Sequence, residues 1–399
     1  MKQFNPINEL FKIGSTDHAN GVNTPICDSA TFFFDSAEQM EDTFHGEYEA
    51  FLYSRHSNYT TAALANALAK IENTEAGIVT SSGMAAITSV LLHLANSNDH
   101  IIASHTIYGG SFAFLNNWVK KYNIEVTFID TSDLSQLEKA IKPNTKVIYT
   151  ETMANPALRI ADIPKIADIA HKNNIKLVVD NTFTPLIFTP YNLGADIVVY
   201  SMTKFINGKN DMVAGAILGS KEFINSLLDL NNGTVMLLGP TMDSIRASMV
   251  LKNLYTLHIR MRQHSKNAMY LANKFEEAGI NVIYPGLENN KFHKVFTEMM
   301  NESFGYGGMI AIDLGEFKVA ADFLKILQQK SVGYLAVSLG FYKTLFSNSG
   351  HSTSSEVPKE IQKNIGITPG LSRFSVGLDD DIENTWKLIE ETLKELKLI

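Results

Sequence analysis

Four short runs in the first half of the chain are apolar almost throughout: HIIASH, KVIYTE, IKLVVDN and DIVVYS, at 100–105, 146–151, 175–181 and 196–201. A strand with one solvent-exposed face alternates apolar and polar residues, whereas a continuous apolar run is typical of a strand buried on both faces. Segments with helical patterns separate these runs. The sequence therefore predicts an α/β fold, with a mostly parallel central sheet and helices on both faces.

The pattern changes at both ends of this region and predicts three parts. Residues 1–55 have little helical periodicity, which indicates an extended arm that contacts a neighbouring subunit. Residues 56–255 hold the predicted sheet and its helices. Residues 256–399 have shorter strand-like runs between helices and predict a smaller α+β domain. A long helical pattern from Thr241 to Gly279 would link the last two parts.

Composition narrows the class of function. The chain has 399 residues and a formal net charge of −8, which argues against nucleic acid or an anionic membrane as a partner. Its first residues lack the apolar stretch of a secretory signal, and no run is long enough to span a bilayer. Cys27 is the single cysteine, which excludes an internal disulfide and a cysteine-rich metal site. One cysteine and no secretory signal lead us to expect a cytoplasmic protein. The histidines do not have the spacing of metal ligands, so we expect no metal site.

Two of the predicted strands end in residues suited to chemistry. IKLVVDN ends near Asp180, and Lys204 follows three residues after the end of DIVVYS. Ligands of open parallel sheets bind beyond the carboxyl ends of the strands. An amine and an acid at that edge suit pyridoxal 5′-phosphate, because lysine forms a Schiff base with its aldehyde and aspartate pairs with its ring nitrogen. Ser201 and Thr203 lie close to this lysine and could donate to the phosphate.

Other segments add groups that such a cofactor and an amino-acid substrate need. Ser82, Gly83 and Met84 open a predicted helix, whose N-terminal N–H groups favour an anion. Tyr108 precedes two glycines and could stack on a planar ring. Tyr53 and Arg55 offer a hydroxyl and a guanidinium that could bind a phosphate, and Arg373 could bind a carboxylate. Each residue alone also fits an ordinary role, such as a helix cap, a turn acid or a surface cation. The prediction rests on their occurring together, at the ends of elements.

The same segments, in order along the chain, carry a resemblance to a known family. They are YSRHSN, SSGMAAI, TIYGG, ETMANP, VVDNTF, GADIVVYSMTKFING, AVSLG and SRFSVGL. Together they resemble the Cys/Met metabolism (transsulfuration) family of pyridoxal-phosphate-dependent enzymes. The resemblance covers essentially the whole chain and implies fold type I, which is aspartate-aminotransferase-like.

The resemblance implies roles for individual residues. Lys204 would be the Schiff-base lysine, Asp180 the partner of the ring nitrogen, and Tyr108 the stacking residue and an acid for the leaving group. The residues implied for the phosphate are Ser201, Thr203, Ser82, Gly83, Met84 and, from a neighbouring subunit, Tyr53 and Arg55. Asn155 would lie near the cofactor's 3′ oxygen. Ser338 and Arg373, together with Asn155, would bind the substrate and hold its carboxylate. The active sites would then be shared across a dimer, usually paired into a homotetramer.

Within this family, MLLGPTMDS, VIYPGLENN, FGYGGMIAIDL and AVSLGFYKTLFSNSGHSTSSE resemble plant-type methionine γ-lyases. The implied reaction is α,γ-elimination of L-methionine to methanethiol, 2-oxobutanoate and ammonia. O-acetylhomoserine sulfhydrylase and cystathionine γ-lyase or γ-synthase use the same machinery and stay open as alternatives. A non-catalytic pyridoxal-phosphate-binding protein is a further alternative, but it would not need Lys204, Asp180, Tyr108 and Arg373 together.

Three residues depart from the family pattern. Gly110 stands where bacterial and protozoan methionine γ-lyases carry cysteine, although the plant-type enzymes lack that cysteine too. Tyr59 stands where the family usually has proline, and Lys343 where many relatives have glutamate. The departures bear on the geometry of the arm and on substrate preference.

Overall fold

The larger sheet of the protein matches the predicted parallel sheet. The computed structural model describes residues 4–13, 21–349, 362 and 366–399. The strands of this sheet are β1 (Ala76–Thr80), β2 (His100–Ser104), β3 (Glu125–Ile129), β4 (Thr145–Glu151), β5 (Lys176–Asp180), β6 (Ile197–Ser201) and β7 (Gly215–Gly219). The four predicted runs are β2, β4, β5 and β6, so these predictions are confirmed.

The order of the strands places a crevice at one edge of this sheet. The order is β1-β7-β6-β5-β4-β2-β3, and β7 alone runs antiparallel to its neighbours. From β2 the chain adds β3 on one side and then β4 on the other. At such a reversal the connections leave in opposite directions and open a crevice beyond the strands' carboxyl ends, where ligands bind.

Helices cover both faces of the sheet. Leu177 and Val179 of β5 lie in one hydrophobic cluster, and Val178 between them lies in another. The alternation explains the continuous apolar runs, since both faces of a strand are buried. The described α-helices are α1 (Pro6–Leu10), α2 (Ala37–His45), α3 (Tyr59–Glu72), α4 (Gly83–Leu94), α5 (Gly109–Ala113), α6 (Leu134–Ala140), α7 (Ile163–Lys172), α8 (Lys221–Leu227), α9 (Thr234–Leu238), α10 (Ser244–Leu254), α11 (Leu257–Glu277), α12 (His293–Met299), α13 (Phe317–Gln329) and α14 (Ile382–Glu395).

The C-terminal third forms a second, smaller sheet, as predicted. Its strands are β8 (Asn281–Ile283), β9 (Met309–Asp313), β10 (Gly333–Leu335), β11 (Thr344–Asn348) and β12 (Leu371–Ser375). They pair in the order β10-β11-β12-β9-β8. The helices α11, α13 and α14 share one hydrophobic cluster with this sheet, which makes the region an α+β unit. The boundaries at residues 55 and 255 stay predictions.

The linking helix is not continuous, contrary to the prediction. It is divided into α10 and α11, with Tyr255 and Thr256 between them. The Arg260 guanidinium donates a hydrogen bond of 2.9 Å to the carbonyl oxygen of Asn253. In an unbroken helix that oxygen would accept from the N–H four residues later, whereas here it accepts from the N–H of Thr256, at 3.3 Å, and from Arg260.

Residues 25–55 of the N-terminal arm include no buried residue within the chain, whereas Pro6, Leu10 and Thr24 before them are buried. None of the residues of α2 is buried, and the side chain of Phe33 is 91% exposed. Its contact with a neighbouring subunit stays a prediction, and residues 1–3 and 14–20 of the arm lie outside the described residues. Among the described helices, none combines the length and the apolar character needed to cross a membrane.

A buried acid in the core of the larger unit makes stability depend on pH. Glu72 ends α3 with 2% exposure, and the hydroxyl of Tyr200 and the backbone N–H of Tyr191 donate to its carboxyl group. Burial raises the pKa of Glu72 to about 8, against 4.5 as its ordinary value. The folded protein therefore keeps a proton that the unfolded chain releases, and stability falls as pH rises between these two values.

We expect Glu72→Gln to remove this loss, because glutamine keeps an acceptor for Tyr200 and cannot ionise. Relative to wild type, its free energy of unfolding should gain on the order of 3 kcal/mol between pH 5 and pH 8. Urea unfolding at both pH values measures this change. The matched control is Glu138→Gln, at an exposed position on α6. A Glu72→Gln difference that stayed constant with pH would contradict the prediction.

Candidate active site

Three neighbouring parallel strands bring polar groups to the edge where the crevice opens. The strands β4, β5 and β6 end at Glu151, Asp180 and Ser201. Glu151 is paired in register with Asp180, so both carboxyl groups lie at one height of the sheet. Asp180 is 6% exposed, and the backbone N–H of Thr182 donates to its Oδ1 at 2.9 Å. Burial raises the pKa of Asp180 to about 6.

Lys204 lies beyond β6 and faces the second sheet. Its Nζ donates to the hydroxyl oxygen of Ser338 at 3.2 Å, and that hydroxyl donates to Oδ1 of Asn210 at 2.9 Å. Burial, and then the positive charge of Arg373, lower the pKa of Lys204 to about 8. An amine with this pKa exchanges protons near neutral pH, which suits a catalytic base.

Arg373 stands in the middle of β12 with 3% exposure. Its Nη1 donates to Oδ1 of Asn155 at 2.9 Å, and its Nη2 donates to the carbonyl oxygen of Ser338 at 3.1 Å. Among the described residues its Nε has no hydrogen-bond partner. A buried guanidinium with an unused donor is costly unless an anion completes its bonds, so the position suits a ligand carboxylate.

The N-terminus of α4 approaches β6 very closely. The side chain of Ser82 caps this helix by accepting from the N–H of Ala85 at 3.0 Å. A Cβ atom at Gly83 would lie 2.6 Å from the Cβ of Ser201, so glycine is required at this contact. The hydroxyl of Thr203 accepts from the N–H of Ala214 at 3.0 Å. The arrangement forms a cradle of backbone N–H and hydroxyl groups suited to phosphate.

Tyr108 precedes α5, and its backbone N–H donates to Oε1 of Glu151 at 2.7 Å. Its side chain is 48% exposed and lies at the mouth of the crevice. A Cβ atom at Gly110 would lie 2.6 Å from the Tyr108 ring. The departure at Gly110 therefore makes room for the ring in this position.

These groups surround one cavity of about 270 Å³. The predicted residues that line it are Ser82, Gly83, Met84, Tyr108, Asn155, Asp180, Ser201, Thr203, Lys204, Ser338 and Arg373. The remaining wall is mainly apolar, with Ile87, Met153, Phe183, Val213, Val337 and Leu339. The groups around the cavity fit pyridoxal phosphate and an amino acid. They are a buried acid, an amine, a cradle for an anion, and a buried arginine whose Nε has no partner among the described residues.

Two predicted residues do not line this cavity. Tyr53 and Arg55 are exposed, and the Arg55 guanidinium lies 5.3 Å from the centre of the Tyr53 ring. Arg55 instead borders a separate pocket of about 80 Å³. That these residues reach the phosphate in a neighbouring subunit stays a prediction.

The other two departures from the family pattern lie outside the cavity lining. Lys343 places its Nζ 4.7 Å from the centre of the Tyr334 ring. Tyr59 is the first residue of α3, after the N-cap Asn58. The N–H at that position has no partner within the helix, so proline and other residues are both accepted there.

The sequence reasoning missed Glu151 and Thr182, which also line the cavity. The signal for Glu151 was present, because this acid follows the apolar residues of KVIYTE just as Asp180 follows those of IKLVVDN. No cluster of three or more histidine, cysteine, aspartate or glutamate side chains able to hold a metal ion occurs in the described part of the chain.

Comparison with known proteins identifies the family of this chain. Residues 9–394 match the family model described as Cys/Met metabolism PLP-dependent enzyme. A methionine γ-lyase of Arabidopsis thaliana is 42% identical over 378 residues, which cover 93% of this chain and 86% of that protein. A cystathionine γ-lyase of Bacillus subtilis is 38% identical over 372 residues, which cover 92% of this chain and 93% of that protein.

A solved structure gives the same result for the fold and the cofactor. It is that of a candidate O-acetylhomoserine (thiol)-lyase from Campylobacter jejuni, with a TM-score of 0.90 and 29% identity over 98% of this chain and 100% of that one. That structure contains N′-pyridoxyl-lysine-5′-monophosphate, a lysine joined to the cofactor. The fold is fold type I of pyridoxal-phosphate enzymes. The chain belongs to the Cys/Met metabolism family and is a lyase that depends on pyridoxal phosphate.

Proposed function

We propose that the protein is a methionine γ-lyase that converts L-methionine and water to methanethiol, 2-oxobutanoate and ammonia. The observation that carries the proposal is the cavity that Lys204, Asp180 and Arg373 share. The 42% identity to the Arabidopsis enzyme supports this choice within the family.

The binding residues orient the substrate. We assign the substrate carboxylate to Arg373, whose Nε is unpartnered among the described residues, with Asn155 holding the guanidinium in place. Ser201, Thr203 and the N-terminus of α4 hold the phosphate of the cofactor. Asp180 holds a proton at the ring nitrogen. When bound, the cofactor supplies an aldehyde for the substrate amine and a ring that withdraws electrons from the α-carbon.

Proton movements then fall to Lys204 and Tyr108. The freed Lys204 amine removes the α-proton, and its lowered pKa keeps a fraction of it neutral near pH 7. The amine passes that proton on to the bound cofactor and, neutral again, removes a proton from the β-carbon. Tyr108 donates a proton to the sulfur as the bond from the γ-carbon to sulfur breaks. Water completes the release of 2-oxobutanoate and ammonia, so that the atoms of methionine and one water are all accounted for.

The apolar wall favours methionine over cystathionine. The charged residues that line the cavity are Glu151, Asp180, Lys204 and Arg373 in the described part of the chain, and all but Glu151 have roles at the reacting end. The rest of the wall suits an uncharged thioether, whereas the distal amino and carboxyl groups of cystathionine would need charged partners. Cystathionine γ-lyase and O-acetylhomoserine sulfhydrylase are the competing functions.

The first assay supplies L-methionine alone to the protein loaded with pyridoxal phosphate. We expect methanethiol and 2-oxobutanoate in equal amounts. The matched assays use cystathionine, and O-acetylhomoserine with sulfide. Turnover of one of these with methionine inert would reject the proposed substrate and leave the family assignment intact.

A further inference from the structure

Glu151 is a buried acid that the proposed mechanism does not use. It is 7% exposed, ends β4 beside Asp180 and lines the same cavity. A buried carboxyl group with no function is uncommon, because removing it from water is costly.

The Glu151 carboxyl group fastens two loops of the site. Its Oε1 accepts from the backbone N–H of Tyr108, at 2.7 Å, and the backbone N–H of Asn155 also donates to the carboxyl group. Tyr108 follows β2 and Asn155 follows β4, which are the two strands where the crevice opens. One side chain therefore joins the loop that carries the aromatic ring to the loop that carries the partner of Arg373.

A second, small polar cavity lies on another side of Glu151. It measures about 10 Å³, the least that can hold one water molecule. Hydroxyl groups line it, among them those of Thr131 and Thr150, which are 2.9 Å apart. If the Glu151 carboxyl group carries a proton, its O–H can donate to the hydroxyl oxygens that line this cavity.

The charges around Glu151 come from several elements. Asp180 is paired with Glu151 at the edge of the sheet, and Tyr149 lies two residues before Glu151 on β4. Lys204 and Arg373 line the active cavity, and the Arg159–Asp130 ion pair borders the small cavity. Burial and the negative charge of Asp180 raise the pKa of Glu151 well above its ordinary value. Two ionised carboxylates here would repel each other and would compete for the single positive charge of the cofactor ring.

We propose that Glu151 is a positioning residue that works as a neutral carboxyl group, accepting the two loop N–H groups and donating into the small polar cavity. It thereby holds Tyr108 and Asn155 over the cofactor site and leaves Asp180 as the negative charge next to the ring. The proposal rests on the proposed position of the cofactor, but not on which substrate is used.

Three variants test this role. Glu151→Gln keeps the carbonyl acceptor and a donor at full length, so it copies the neutral acid. Glu151→Leu removes both hydrogen-bonding functions at similar volume. Glu151→Asp keeps the carboxyl group but withdraws it by one methylene. Glu72→Gln, the buried acid outside the cavity lining, is the matched control.

The measurements are the visible circular dichroism of the bound cofactor, the dissociation constant of pyridoxal phosphate for the apoprotein, and kcat and KM. We expect Glu151→Gln to keep the wild-type dichroism and affinity. Glu151→Leu and Glu151→Asp should weaken the dichroic band, bind the cofactor about 10-fold more weakly and lower kcat about 100-fold. The loss should appear mainly in kcat, since a loosened loop misplaces the reacting groups.

Two results would overturn the proposal. One is Glu151→Gln with the defects of Glu151→Leu, which would mean that the ionised form is needed. The other is wild-type dichroism and kcat in both Glu151→Leu and Glu151→Asp, which would mean that the loops do not depend on Glu151. If methionine proves inert in the wild type, dichroism and cofactor affinity still decide, so the two proposals fail separately.

Discussion

Replacing Lys204 with alanine should lower the turnover of methionine by about 10,000-fold, because the variant loses the base that moves the α- and β-protons. Borohydride reduction should attach the cofactor covalently to the peptide containing Lys204 in the wild type and leave no such adduct in the variant. Mass spectrometry of the digested protein measures this directly. Added ethylamine should restore part of the activity, because a free amine can enter the vacated space and take the proton.

The matched control is Lys209→Ala. Lys209 lies five positions further along the chain, is exposed and is absent from the cavity lining. This variant should keep both turnover and the adduct. Turnover of Lys204→Ala within tenfold of wild type, or an unchanged adduct on another lysine, would contradict the assignment of Lys204.

Replacing Asp180 with asparagine should have the second largest effect. The variant keeps the shape of the side chain and an acceptor for the N–H of Thr182, but it loses the charge that holds a proton at the ring nitrogen. We expect kcat to fall about 100- to 1,000-fold, because charge on the α-carbon is less well stabilised. The borohydride adduct on Lys204 should persist, which distinguishes this defect from that of Lys204→Ala.

Glu72→Gln is the control for Asp180→Asn, because it also replaces a buried acid of the larger unit with its amide, at a position outside the cavity lining. It should keep wild-type turnover. A variant Asp180→Asn with unchanged kcat would show that the ring nitrogen does not need this carboxylate, and the proposed position of the cofactor would fall with it.

The parts of the site that follow regular strands could be predicted from the sequence. Apolar runs in β5 and β6 identify strands covered on both faces, and the first polar residues after them must lie at the sheet edge. Asp180 and Ser201 are such residues, and Lys204 follows Ser201 by three positions. The helix start at Gly83 follows from similarly local signals. These inferences need the order of elements but not the distances between them.

The rest depended on contacts between segments distant in the chain. That Glu151 binds the Tyr108 loop follows from the placement of β4 beside β2, which no local pattern records. At the break after α10, Arg260 donates to the carbonyl oxygen of Asn253, seven residues earlier, and to those of Phe205 and Ile206, which helical periodicity does not record. The positions of Tyr53 and Arg55 could not be tied to the site, because within this chain they lie outside its lining.

The cavity draws its walls from both units, and this has a consequence for its selectivity. Lys204 and Asp180 belong to the larger sheet, whereas Arg373 belongs to the smaller one and Ser338 lies in the loop after its strand β10. On the proposed assignment, an amino acid would bind the larger unit through its amine and the smaller unit through its carboxylate, and so would join the two. An amine without a carboxylate would contact the larger unit alone, so discrimination between amino acids and simple amines would depend on how the two units dock.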